Sequence, residues 1–268
     1  VQSIATSIVN EISERGECDF VTDVAAALPL KIVCDLMGVP DSAYDLVFRN
    51  TNVILGVGDP EFAPEGVDFV TALLNAGSEL AELMKEVSQA KKGGDGTDLT
   101  SVLVNAELDD DHLDHADLAS FFVLLVVAGN ETTRNAISWG LKYLTDWPDQ
   151  RAIWAADYEK RSPAAVEEIV RLSSPVTYMR RTVVEDTVLN GRKLFEGDKL
   201  AMFYLAANRD PAVFDDPFRL DVRRTPNPHC GFGGPGPHFC LGAHLARREI
   251  TVMFRELFRR LPDIRAVE

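Results

Sequence analysis

Residues 231–243 read Gly231-Phe232-Gly233-Gly234-Pro235-Gly236-Pro237-His238-Phe239-Cys240-Leu241-Gly242-Ala243, and a helical pattern follows directly. A cysteine carried by a glycine- and proline-rich loop to the first turn of an apolar helix is placed to present a thiolate. The start of a helix has unpaired N–H groups and a partial positive charge, and both favour S⁻ over SH. Free loop amides can hydrogen-bond the sulfur. Glycines without a Cβ let the backbone approach a flat ligand closely.

A thiolate set against a flat apolar surface suits one axial position of a haem iron. Three further motifs stand upstream. They are Ala128-Gly129-Asn130-Glu131-Thr132-Thr133, Glu168-x-x-Arg171, and Asn208-Arg209-Asp210-Pro211 followed by Pro217-Phe218-Arg219-Leu220. The four in this order resemble the cytochrome P-450 family, the haem-thiolate monooxygenases.

Composition bounds the alternatives. The chain has 268 residues, enough for one sizeable core without staples. Its 27 basic and 42 acidic residues argue against nucleic acid as a partner. Residues 219–268 hold nine arginines against five acids, whereas the rest holds 18 basic against 37 acidic residues. A basic C-terminal region on an acidic body reads either as a solvated helix face or as a docking surface for an acidic electron donor. Four scattered cysteines form no disulfide framework and fit a reducing, cytoplasmic setting. The apolar run 118–128 is too short to span a bilayer and reads as a buried helix.

Along the chain, apolar recurrence every three or four residues predicts helices over 1–15, 24–37, 42–51, 64–90 and 116–143. Residues 91–96 read as a loop and 109–111 as an acidic turn. Ser162-Pro163 reads as a helix start running to Leu172, with serine capping and proline in the first position. Strand-like stretches follow at 177–184, 187–189, 192–195 and 199–205, with Asn190-Gly191 as a hairpin turn. Leu241, Leu245, Ile250, Met253, Leu257 and Leu261 trace the buried stripe of a final helix. The fold class is mainly α with a small β region: helical bulk over 1–175, β region over 176–205, thiolate loop and final helix over 226–262. No linker divides it, so a single domain over 1–268 is expected.

Within the helix at 116–143, Gly129, Asn130, Glu131, Thr132 and Thr133 are poor choices for a buried interior, and such local inconsistency marks function. Thr132 can bond back to the Ala128 carbonyl and bend the helix. Glu131 can pair with Arg134 at i,i+3 as a plain helix-surface ion pair.

The resemblance implies more. Cys240 would be the axial iron ligand of haem b, with Phe232 packed beside the sulfur and Gly234 and Gly242 lining the cofactor. His238 and Arg181, with Arg180 as the adjacent alternative, would meet the haem propionates. Ala128 and Gly129 would leave room for a diatomic ligand, and Glu131 and Thr132 would deliver protons so that one oxygen atom of O₂ leaves as water. Glu168, Arg171 and Arg219 would form a structural network behind the cysteine loop, although the family usually has an acid where Phe218 stands. Phe232 precedes Cys240 by eight residues, one more than the commonest family spacing and a mark of bacterial members with lipid-like substrates.

The implied activity is insertion of one oxygen atom of O₂ into a C–H bond of an apolar small molecule: a methyl-branched lipid, a sterol side chain or a terpenoid. Electrons would come from NAD(P)H through a reductase and a ferredoxin-type donor docking near the basic C-terminal region. A peroxide-driven peroxygenase and a non-catalytic haem sensor are the alternatives. Further N-terminal helices and a closing C-terminal hairpin belong to the family fold, so the 268 residues are expected to be a piece, truncated at both ends, that binds haem poorly alone.

Two other patterns lack their context. Gly231-x-Gly233-x-x-Gly236 matches a dinucleotide-binding fingerprint, yet no strand precedes it. His229, Cys230, His238, Cys240 and His244 crowd together at spacings that match no zinc knuckle.

Overall fold

Alanine, valine and leucine spaced three or four apart become helices in the computed structural model, which describes residues 1–56, 59, 61–62, 66–107 and 113–267. The chain divides into two compact units, Val1–Arg134 and Asn135–Glu268.

The first unit begins with α1 (Gln2–Ile12), whose Ala5, Ile8, Val9 and Ile12 form its buried face. A π-helical turn (Val21–Ala25) leads into α2 (Ala27–Met37). Gly38 ends α2 at φ +64°, a left-handed position that favours glycine. α3 (Tyr44–Leu55), α4 (Phe69–Lys91) and α5 (Leu99–Val104) follow. Asp68 caps α4 by accepting the Thr71 N–H at 3.1 Å. Asp98 caps α5 through the Ser101 N–H at 3.0 Å and pairs with Lys91 at 2.8 Å. α6 (His115–Asp146) carries Leu118, Phe122 and Val126 into a core shared with Leu30, Val33, Met37, Val47, Leu80 and Met84.

The boundary between the units falls inside α6, a continuous helix, which is why no linker marks it in the sequence. The expected helix at 64–90 starts at Phe69, and its first residues, like the acidic turn at 109–111, lie outside the described residues.

The second unit adds α7 (Pro148–Ala156) and α8 (Tyr158–Ser173). Here one expectation fails. Ser162 and Pro163 lie inside α8 rather than at its start, because Tyr158 opens the helix four residues earlier. The Ser162 hydroxyl donates to the Tyr158 carbonyl at 2.7 Å and accepts from the Trp154 indole at 3.0 Å. Pro163 lies past the first turn of α8, where N–H groups already have helical partners, so its missing N–H removes one backbone bond of the helix.

Strands β1 (Met179–Thr182) and β4 (Lys199–Met202) pair antiparallel, Met179 opposite Met202. β2 (Thr187–Leu189) and β3 (Arg192–Leu194) form the hairpin, turned by Asn190 at φ +49° and Gly191 at φ +77°. β4 stops at Met202, short of the expected 205, and residues Tyr204–Ala207 form the brief helix α9.

α10 (Ala243–Arg260) buries Ile250, Met253, Phe254 and Leu257, and packs on α8. Leu241 lies before the helix and is 82% exposed, so it drops out of the expected stripe. Trp154, Tyr158, Phe254 and Phe258 form an aromatic cluster with ring centroids 5.2–6.0 Å apart. Gly140 of α6 meets this cluster: a Cβ there would sit 2.7 Å from the Phe254 ring. Gly140→Ala is therefore expected to cost about 1–3 kcal/mol by overpacking. A variant as stable as the parent in urea denaturation would contradict it.

Candidate functional site

The glycine loop folds by short turns. Gly233 at φ +86° and Gly236 at φ +132° occupy conformations that side chains resist. Gly233 N–H donates to Cys230 O at 2.8 Å, and Phe239 N–H to Gly236 O at 3.1 Å. Cys240 N–H donates to the Phe232 carbonyl at 3.0 Å, closing the loop on the eight-residue spacing.

Cys240 is exposed and stands two residues before Gly242, the N-cap of α10, rather than within the helix's first turn. Its carbonyl accepts the Ala243 N–H at 3.3 Å, so a turn separates the cysteine from the helix. Beside it Phe239 and Leu241 are exposed, and a Cβ at Gly234, Gly236 or Gly242 would meet open space. One soft sulfur donor on an open, glycine-lined and partly apolar face fits a planar macrocycle with a thiolate ligand. His238 is exposed in the same loop, and Arg181 is exposed on β1 next to Arg180, whose carbonyl accepts its guanidinium at 3.0 Å.

Behind this loop lies a fully buried hub. Glu168 and Arg171 on α8 are both 0% exposed and form a bidentate pair, Nε to Oε2 and Nη2 to Oε1, each at 2.8 Å. Arg171 spends its remaining donors on the carbonyls of Asn208, Pro217 and Arg219 at 2.7, 2.7 and 3.3 Å. Glu168 also accepts from Arg224 Nε at 3.1 Å, Asn227 Nδ2 at 3.1 Å and the Asp221 N–H at 3.0 Å.

Arg219 is thus a correction. It contributes only its carbonyl to the hub, while its half-exposed guanidinium reaches Asp149 at 3.3 Å. The second arginine on Glu168 is Arg224. The loop between α9 and α10 has no repeating pattern, so the sequence does not say which of its arginines turns inward. Phe214 lies under both inward-facing ones, 5.0 Å from Arg171 and 6.0 Å from Arg224.

From this hub a buried chain runs back to the loop. Asn208 donates to Ser174 Oγ at 2.9 Å and accepts the Cys230 N–H at 2.8 Å. The half-buried Cys230 thiol points at the same Asn208 oxygen at 3.2 Å, and burial raises its pKa.

Glu167, next to Glu168 on α8, takes Arg247 at 2.5 and 2.9 Å and His229 at 2.9 Å. Burial alone would raise Glu167, but the hydrogen bonds from Arg247 and His229 outweigh it and hold the carboxyl at about 2, against an ordinary 4.5. A depressed carboxylate stabilises the fold above pH 4.5, and the contribution disappears as pH falls from 4.5 towards 2. Acid unfolding followed by circular dichroism is expected to show wild type losing its advantage over Glu167→Gln across that window. Parallel curves would refute it. Glu167 and Arg247 had escaped the sequence reading; the doubled acid of Glu167-Glu168 on a helix with a buried face was the signal available.

In the first unit, the Thr132 hydroxyl donates to the Ala128 carbonyl at 2.8 Å, as its spacing suggests. Glu131 is ion-paired with Arg134, which also donates to Asn52 of α3 at 3.0 Å, so the i,i+3 pair exists and is anchored to a second helix. Gly129 has a packing reason: a Cβ there would lie 3.0 Å from Val33 of α2. Ala128 is exposed, and the buried Asn130 side-chain amide has no hydrogen-bond partner among the described residues. An open groove of about 530 Å³ is lined by apolar side chains of α3, α4 and α6, including Ile54, Ala81, Val123, Leu124 and Val127. Phe122 and Val126 of the same helix are fully buried in the core.

The basic C-terminal stretch is less free than its count implies. Arg219, Arg223, Arg224, Arg247, Arg255, Arg259 and Arg260 are all paired with carboxylates, whereas Arg248 and Arg265 are exposed with no ion pair among the described residues.

Comparison with known proteins agrees with this geometry. The cytochrome P450 family model matches residues 162–261, the stretch from α8 through the thiolate loop to the end of α10. Methyl-branched lipid omega-hydroxylase of Mycobacterium tuberculosis (strain ATCC 25618 / H37Rv) is 49% identical over 265 residues, covering 99% of this chain and 61% of that protein. Mycobacterium marinum cytochrome P450 CYP268A2, solved in complex with pseudoionone, superposes with a TM-score of 0.96 at 43% identity, covering 100% of this chain and 64% of that one. CYP109E1 from Bacillus megaterium, solved in complex with corticosterone, gives a TM-score of 0.89 at 30% identity over 99% of this chain and 70% of that one. The chain belongs to the cytochrome P450 family. It spans about three fifths of the length of the hydroxylase it matches, and the family implies a haem-iron cofactor.

Proposed function

We propose that this chain is part of a haem-thiolate monooxygenase that inserts one oxygen atom of O₂ into a C–H bond of an apolar substrate. The observation that carries the reading is the exposed Cys240 on a glycine loop, closed by its N–H on Phe232 and linked through Asn208 to the buried Glu168–Arg171 pair. Haem b, when bound, supplies the oxygen activation. Cys240 would hold its iron through the sulfur, Phe232 would flank that sulfur, and Gly234 and Gly242 would leave room for the ring. His238 and Arg181 offer donors to the propionates. Glu131 and Thr132 move protons, with Ala128 and Gly129 forming the turn they act from.

The apolar groove of the first unit suits a methyl-branched lipid, a sterol side chain or a terpenoid. That choice is supported by relatives and neighbours named for lipid hydroxylation or solved with pseudoionone or corticosterone. Electrons come from NAD(P)H through a reductase and a ferredoxin, docking near Arg248 in a cytoplasmic setting.

The deciding experiment is the absorption spectrum of the dithionite-reduced protein under carbon monoxide, with the chain extended to the length of its relatives. A strongly red-shifted Soret band in wild type, absent in Cys240→Ala, is expected. A haem spectrum without that band in wild type would overturn the assignment of Cys240.

A further inference from the structure

We propose that Arg247, clamped by Glu167, is a positioning residue that fixes Cys240 through Phe232. The inference rests on the reading of Cys240 as axial ligand.

The geometry lies within the second unit. Arg247 stands on the first turns of α10 and places its guanidinium 4.3 Å from the Phe232 ring centroid. A guanidinium is flat and can stack on a ring while its edge bonds a carboxylate; an ammonium cannot do both. Here the edge is occupied by Glu167, Nε to Oε1 at 2.5 Å and Nη2 to Oε2 at 2.9 Å.

Glu167 is itself fixed. His229 accepts the Gly231 N–H on Nδ1 at 3.0 Å, which leaves Nε2–H to donate to Glu167 at 2.9 Å. The His229 ring also lies 5.9 Å from the Phe232 ring. Phe232 is therefore held from two sides, by an α10 arginine and by the loop histidine, both anchored on one α8 carboxylate.

What Phe232 holds in turn is the ligand. Its carbonyl accepts the Cys240 N–H at 3.0 Å, so the ring's position sets the cysteine backbone. Its hydrogen bonds to Glu167 raise the pKa of Arg247 and keep the guanidinium over the ring charged.

Three variants of the haem-loaded protein test the clamp, read by the lifetime of the red-shifted carbon monoxide band. Arg247→Gln removes the stack and the ion pair and is expected to shorten that lifetime severalfold. Arg247→Lys keeps the charge without the stack and should give no rescue. Glu167→Gln keeps the arginine without its clamp, and its band should also decay faster. Wild-type band lifetimes in all three, or full rescue by Arg247→Lys, would overturn the positioning role. If wild type and Cys240→Ala give the same carbon monoxide spectrum, the axial-ligand reading itself fails and this inference with it.

Discussion

Replacing Arg171 by methionine is expected to lower the free energy of unfolding by about 3–5 kcal/mol, the usual cost of removing one partner from a buried ion pair. Both partners are 0% exposed, so no water replaces the lost donors. The loss is wider than one pair: the carbonyls of Asn208, Pro217 and Arg219 lose a donor together. Arg224 and Asn227 remain on Glu168 and keep its charge partly compensated. Arg171→Lys is expected to rescue little, because a single ammonium cannot reproduce a fork that reaches a carboxylate and three carbonyls. Arg219→Met is the contrast. Its guanidinium pairs with Asp149 at a half-exposed site, where such pairs contribute about 0–1 kcal/mol. Urea denaturation followed by circular dichroism checks all three, and equal midpoints for Arg171→Met and Arg219→Met would contradict the hub.

Glu131→Gln is expected to leave the fold intact and to reduce product formation on the order of 10²-fold, as loss of a positioned proton donor does. Glutamine keeps the shape and can still accept from Arg134, which stays tied to Asn52. What it lacks is a transferable proton, so the readout is chemical: product formed per NAD(P)H consumed, with the remainder appearing as peroxide. Wild-type yield in Glu131→Gln would remove Glu131 from the proton path. Thr132→Ala tests its neighbour, since the hydroxyl bonded to the Ala128 carbonyl is lost while the helix keeps a good former.

Much of this fold is legible before any coordinates. The stripes of α1, α2, α4, α6 and α10 follow from period-3.6 spacing of apolar residues, and the β2–β3 hairpin from Asn190-Gly191. The helices α5, α7 and α9 escape because six, nine and four residues are too few to show a period. Pro163 misleads because a proline tolerated near the start of a helix looks like one that begins it.

At the site, what is local is readable and what is distant is not. Glu168 and Arg171 meet because they are one turn apart, and Thr132 reaches Ala128 for the same reason. Arg224 finds Glu168 across 56 positions and Arg247 finds Glu167 across 80, through loops whose path no periodicity encodes. A composition count also cannot show that most of the C-terminal arginines are already neutralised by carboxylates.

The order in which donors reach Glu168 gives the hub a clock. During synthesis Arg171 emerges three residues behind the carboxylate, but Asp221, Arg224 and Asn227 follow only 53, 56 and 59 residues later. At about 5–20 residues per second, the last donor trails by roughly 3–12 s. For that interval Glu168 has its charge matched by Arg171 but lacks its other three donors. Full burial of α8 is therefore expected to become favourable only when the segment before the cysteine loop can fill those acceptor sites. One carboxylate ties completion of the first helices of this unit to arrival of its last third.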